Sequence, residues 1–101
     1  MKTSELTGAA LDWAVAKCEG GAWCAAYAPS TDWAQGGPII ERENMPISHS
    51  PYDHVFYGRT RPWCAEKKGR MEYGPTPLIA AMRCYVASRM GDEIDVPEEL
   101  I

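Results

Sequence analysis

Apolar residues recur at helical spacing in two stretches of this 101-residue chain. In segment 3–19, Leu11, Ala14, Val15 and Cys18 stand at i, i+3, i+4 and i+7. Leu6, Ala10 and Trp13 extend that face. The pattern predicts a helix over about 4–19, with Thr3 or Thr7 as its cap and Gly20 as its stop. Gly8 weakens the first turns and places the regular part near it. Segment 76–90 carries the clearest signals. Thr76 suits an N-cap, and Pro77 follows at the first helical position, where its missing amide costs nothing. Ile79, Met82, Val86 and Met90 line one face, with Leu78 and Tyr85 beside it. Arg89 falls in the last turn and Gly91 closes a helix over about 77–90.

Between them the pattern changes. "AWCAAYA" at 22–28 is short and apolar and could be a buried strand ended by Pro29, though periodicity does not settle so short a run. "PIIERE" at 38–43 reads as a strand that begins on a proline, with Ile39 and Ile40 inside and the charges at its exposed end. Segment 44–62, with its three prolines and a Ser-Pro step, reads as an irregular loop around one short strand at 54–57. "WCAEKKGRMEY" reads as a hairpin turning near Lys68-Gly69. The expected architecture is α+β: one domain over 1–101, two helices packed on a small, mostly antiparallel sheet. An acidic tail over 92–101 is anchored through Ile94, Val96 and Leu100.

Charge narrows the partners. A net charge of −4 argues against indiscriminate nucleic-acid binding, which relies on neutralising phosphates. The charge is uneven, however. Arg59, Arg61, Lys67, Lys68 and Arg70 cluster against Glu66, while the tail holds Asp92, Glu93, Asp95, Glu98 and Glu99. The cluster either meets an anionic ligand, is simply solvated, or faces the tail. No apolar run reaches membrane-spanning length, so no membrane partner is expected. The N-terminus has no apolar signal-peptide core. Reduced thiols in a cytosolic protein are therefore expected, with Cys18 and Cys84 buried on helices, and the four cysteines show no C-x-x-C metal spacing. Neither a structural metal nor a cofactor is expected.

The stretch "STDWAQGGPIIERE" at 30–43 holds most of the candidate chemistry. Ser30 can cap a single helical turn, Gly36 can end it in a left-handed conformation, and Gly37 before Pro38 is then extended. That turn chemistry leaves Asp32, Trp33 and the Glu41-Arg42-Glu43 charges unexplained. Trp33 can stack on a ring, Asp32 can take a ligand hydroxyl or amine, and helix-start amides can hold an anion. The helix start at Thr76 offers a second anion site. Arg83 is a charge among apolar neighbours and needs a partner if buried, with Asp32 or Glu41 the plausible ones. Otherwise it recognises a phosphate or carboxylate. The candidate ligand-binding residues are therefore Ser30, Asp32, Trp33, Glu41, Thr76 and Arg83. His49 and His54 around Asp53, near Ser48 and Ser50, lack a nucleophile elbow or a helical metal spacing, and no catalytic residue is assigned.

Three blocks, "ELTGAALDWAVAKCEG", "APSTDWAQGGPIIERE" and "GPTPLIAAMRCYVASRMGDEIDVPEEL", stand in an order that resembles the phage NinX-like family, small proteins of bacteriophages and prophages. They cover about two thirds of the chain, and 44–73 departs most, with only "PWCAE" family-like. The resemblance implies a phage-encoded accessory protein in the cytoplasm of a bacterial host. It transfers no activity and no catalytic residue. The expected function is non-enzymatic: binding of a small anionic, nucleotide-like ligand, such as a signal used in host defence. Two alternatives stand beside it. One is a protein–protein adaptor, acting on a host or phage protein or as a homo-oligomer, with Trp63 at its interface. The other is a small metal-dependent hydrolase using Asp32 and Glu41.

Overall fold

A computed structural model describes residues 1–49 and 63–101. Its elements are α1 (Gly8–Cys18), α2 (Trp33–Glu43), β1 (Ile47–His49), β2 (Trp63–Lys67), β3 (Arg70–Gly74) and α3 (Pro77–Met90). Short 3-10 turns lie at Thr3–Glu5 and Glu98–Leu100. The strands form one antiparallel sheet in the order β1-β2-β3. Ile47 pairs with Ala65, and Ala65 pairs with Glu72. The α+β expectation therefore holds, with three helices instead of two.

The hairpin is where the pattern placed it. Lys68 and Gly69 both take positive φ, 53° and 80°, which is the backbone that a tight two-residue hairpin turn requires. Thr76 Oγ1 accepts the Ile79 amide at 3.1 Å and Pro77 opens α3. Helix α3 is the centre of the molecule. The sheet packs on it, and α1, α2 and the N-terminal turn cover its other sides. Leu78 and every residue from Ala80 to Ala87 are consequently buried. The single apolar face expected from Ile79, Met82, Val86 and Met90 was too narrow. Small alanines at 80, 81 and 87 let neighbours approach on all sides, while Met90 is exposed. Leu6, Leu11, Val15, Ala65, Met82, Tyr85 and Val86 make the core. Fully burying side chains of this size stabilises by about 1.5–3 kcal/mol each. Ile94, Val96 and Leu100 of the tail pack against that core.

Four local expectations are corrected. The first helix begins at Gly8, not near residue 4, because Thr3–Glu5 forms a separate turn whose Leu6 drops into the core. Neither threonine caps it: Thr7 holds the cap position without a side-chain bond, and Thr3 Oγ1 donates to the Gly91 carbonyl at 3.1 Å. Segment 22–28 is not a strand. It is a largely exposed connection with a turn closed by the Tyr27 amide on the Cys24 carbonyl. Residues 38–43 are the second half of helix α2, not a strand. Pro38 is the sixth residue of that helix, a position that costs about 3 kcal/mol in isolation. Helical spacing brings Gly36, Ile39, Ile40 and Glu43 onto the side facing the body, and these tertiary contacts outweigh the local penalty. The strand expected at 54–57 lies outside the described residues. So do Ser50, Asp53, His54, Arg59 and Arg61. Within the expected loop, Ile47–His49 is a strand.

Candidate functional site

Helices α2 and α3 start side by side. The chain turns at Ala28–Asp32, where the Thr31 and Asp32 amides both donate to the Ala28 carbonyl. Asp32, not Ser30, is the N-cap of α2. Its carboxylate accepts the Ala34 amide at 3.0 Å and the Gln35 side-chain amide at 3.0 Å. Gln35 also reaches back to the Ala26 carbonyl and accepts the Ala28 amide, so it fixes the approach to the helix. Ser30 has another part. Its amide donates to the buried Asp12 carboxylate of α1 at 2.9 Å. Its hydroxyl is buried with the rest of the residue, which is 1% exposed. That hydroxyl lies near the Asp12 carboxylate. Burial raises the Asp12 carboxyl above its ordinary range, and Ser30 opposes the rise.

Gly36 is not a left-handed stop. It is helical, and its role is close approach. A Cβ there would stand 2.3 Å from the Pro29 carbonyl oxygen and 2.7 Å from Leu78 Cδ2. Gly74 does the same from the other side, where a Cβ would meet the Ala80 nitrogen at 2.7 Å. The first turn of α3 is thus seated between two glycines on different elements.

Beside these contacts a cleft of about 200 Å³ opens. Ser30, Thr31 and Trp33 line one side, and Thr76 through Ile79 line the other. Trp33 is 56% exposed, the largest apolar side chain left open to solvent among the described residues. At the α3 end Thr76 takes the Ile79 amide with its hydroxyl and the Ala80 amide with its carbonyl. Pro77 has no amide, which leaves that of Leu78 as the donor the cap does not take up. A groove of about 270 Å³ between Lys2–Ser4, Glu72 and Asp92–Glu93 is larger. It is a charged seam between the N-terminal turn and the tail, where the Lys2 and Glu93 backbones form an isolated antiparallel bridge, and holds none of the candidate residues.

The structure brings Ser30, Trp33 and Thr76 together in one lining; Asp32 lies between two lining residues in the chain but is not itself part of the lining. It does not bring Arg83 or Glu41 there. Arg83 is buried further along α3 and is not part of the cleft lining. Its Nε donates to the Leu6 carbonyl at 2.7 Å and Nη1 to the Tyr73 carbonyl at 2.8 Å. The expected pairing with Asp32 or Glu41 is replaced by main-chain carbonyls, which a buried guanidinium satisfies with equal geometry. Glu41 is exposed near the end of α2, about 13 Å along the helix axis from Asp32 at 1.5 Å per residue. That separation does not suit two carboxylates sharing a metal or a reacting atom.

The remaining charges of the 30–43 stretch hold α2 down. Arg42 forks onto Glu19, at 2.9 and 2.7 Å, and reaches Glu43 at 2.9 Å. Glu43 also meets Lys67 at 3.0 Å and Arg89 at 3.6 Å. The Tyr85 hydroxyl donates to Glu19, and the Arg42 and Arg89 guanidiniums lie over its ring. Arg42 above all holds the Glu19 and Glu43 carboxyls below their ordinary range. Arg70 pairs with Asp92, so part of the basic cluster faces the tail. His49 stacks edge-on against Trp63, ring centroids 4.8 Å apart. Burial raises the Cys18 and Cys84 thiols to about 11 each.

Sequence reasoning missed Asp12 and the packing role of Gly36. An acid inside the apolar run "AALDWAVA" was the available signal for the first. Among curated proteins, none matches this chain. A family model described as "Bacteriophage P22, NinX" matches residues 2–89, which includes both helix starts and the Arg42 and Glu43 ion pairs, and the chain belongs to that phage NinX family.

Proposed function

We propose that this protein is a non-enzymatic phage accessory protein that binds a small anionic, nucleotide-like ligand in the cleft between α2 and α3. The observation that carries the reading is the convergence of two capped helix N-termini on one cleft walled by an exposed tryptophan. Helix starts present amides and partial positive charge to an anionic group, and Trp33 offers a face for a ring. With Arg83 committed to the Leu6 and Tyr73 carbonyls, the helix termini are what the cleft offers an anion. Tight binding without turnover suits removal of a nucleotide-type signal in the cytoplasm of an infected bacterium.

Trp63, the anchor expected for the adaptor alternative, is half-buried in β2 and packs on the core. Titration calorimetry of the full chain against mononucleotides, cyclic nucleotides and ADP-ribose-type compounds tests the proposal. The expected result is saturable one-to-one heat with the ligand recovered unchanged. Absence of heat for every compound overturns it.

A further inference from the structure

The cleft between α2 and α3 has a carboxyl group behind its wall. On the reading that it holds an anionic, nucleotide-like ligand, we infer that binding is coupled to a proton taken up by Asp12, so that the site fills more readily as pH falls. Asp12 lies on α1 and is 6% exposed. Ser30, which lines the cleft, turns its amide to that carboxyl group at 2.9 Å, and its hydroxyl lies beside it. One lining residue therefore separates Asp12 from whatever occupies the cleft.

Among the described residues no lysine, arginine or histidine forms an ion pair with Asp12. The charges on the elements around it are committed elsewhere. On α1 itself, Lys17 lies over the Trp13 ring and Glu19 pairs with Arg42. On α2, Asp32 caps the first turn, while Arg42 and Glu43 join the ion pairs at the far end. On α3, Arg83 donates to the Leu6 and Tyr73 carbonyls and Arg89 reaches Glu43. The connection after α1 brings the Tyr27 phenol, whose proton is held on by burial first and then by the Glu19 and Asp12 charges. Burial without a counter-charge disfavours an ionised carboxylate. The Asp12 carboxyl is accordingly raised above its ordinary range, although Ser30 opposes the rise.

An anion in the cleft adds a like charge. Across a buried wall the two negative charges repel more strongly than in water. Protonation of Asp12 removes the repulsion and keeps an oxygen to accept the Ser30 amide. Linkage then fixes the sign. The anion favours protonated Asp12, so protonation favours the anion by the same factor. Affinity is highest where Asp12 is protonated and falls as pH rises through its titration. It levels off where Asp12 is ionised with and without ligand. The two helix starts attract the anion throughout, and Asp12 sets how much of that attraction survives at a given pH.

The test is calorimetry of the full chain with 3′,5′-cyclic AMP and ADP-ribose, whose diester phosphates do not titrate near neutral pH. It runs from about pH 5 to about pH 8, in two buffers of different ionisation heat, so that the difference reports proton uptake. The expected result is a Kd that rises about three- to tenfold across that range, with net uptake of part of a proton. Asp12→Asn is uncharged at every pH and still offers an oxygen to the Ser30 amide. It should hold the Kd near the tight, low-pH value and abolish the uptake, whereas loss of a merely structural residue weakens binding at every pH. The carbon-13 shift of the Asp12 carboxyl reads the same coupling without a variant: its midpoint should move to higher pH when ligand is present. An unmoved midpoint, a flat profile without proton uptake, or a pH dependence that survives Asp12→Asn overturns the inference and leaves the proposed function standing. Failure of both diesters to bind at any pH overturns the inference, and silence from the mononucleotides as well overturns the proposed function with it.

Discussion

Helices α2 and α3 begin alike and are held in opposite ways. Each has a side-chain cap, Asp32 or Thr76, and each opens on the same cleft. Helix α3 then runs through the core with Leu78 and Ala80–Ala87 buried. Helix α2 buries only Gly36 and Ile39 and is otherwise fastened at its far end by Arg42 and Glu43. One helix is held by apolar area, the other by a tight glycine contact and a charged clasp. The difference places the candidate site where a rigid helix meets a lightly held one.

Substitutions that break this contrast rank in order. Met82→Ala, in the fully buried part of α3, should cost about 2–5 kcal/mol, read as a shift in the urea midpoint. Gly36→Ala should cost about 1–3 kcal/mol, because its methyl meets the Pro29 carbonyl and Leu78. It should also alter Trp33 fluorescence, a change Met82→Ala should not reproduce at equal fraction folded. Cap removal comes next. Asp32→Ala and Thr76→Ala should each cost about 0.5–2 kcal/mol. Hydrogen exchange should find the loss confined to α2 for the first and spread through the core for the second. Equal, global loss in both would erase the distinction between the helices. Arg42→Met should be smallest, about 1 kcal/mol or less, since its side chain is 49% exposed, and the effect should shrink as salt is added.

Acid acts on the same contrast. Glu19 and Glu43 titrate below their unfolded value of 4.5, so their stabilisation is present above that pH and is lost as pH falls through their folded values. Asp12 has the opposite sign. Its raised value means that stability is lost as pH rises through it, and the neutral form is favoured by folding. Thermal melts from pH 7 downward should show destabilisation that Glu19→Gln reduces in slope. Asp12→Asn keeps an oxygen to accept the Ser30 amide, and should leave a steeper acid loss than the parent chain.

The same contrast explains what was legible in the sequence. Helix α3 announces itself through Thr76-Pro77, sustained apolar spacing and Gly91, all local signals that tertiary packing then reinforces. The hairpin announces itself through Lys68-Gly69. Helix α2 does not, because Gly36, Gly37 and Pro38 are poor helix residues, and their reason for being there is the neighbour they touch. Gly36 is explained by Pro29 and Leu78, forty-two positions apart from Leu78 in sequence, which no window along the chain contains. Three of the candidate site residues, Ser30, Trp33 and Thr76, lie together because helix starts collect at one end of the fold. Arg83 was correctly singled out as a charge needing partners. Its partners are carbonyls, and backbone acceptors leave no trace in residue identity.

That arginine imposes an order of events on synthesis. The Leu6 carbonyl is made early, and the guanidinium that satisfies it is made 77 residues later. At translation speeds of about 5–20 residues per second, the gap is roughly 4–15 s. Throughout it the N-terminal segment has its apolar side chain ready and its polar partner unborn. The nascent chain therefore has no native partner for the Leu6 carbonyl until Arg83 has been added.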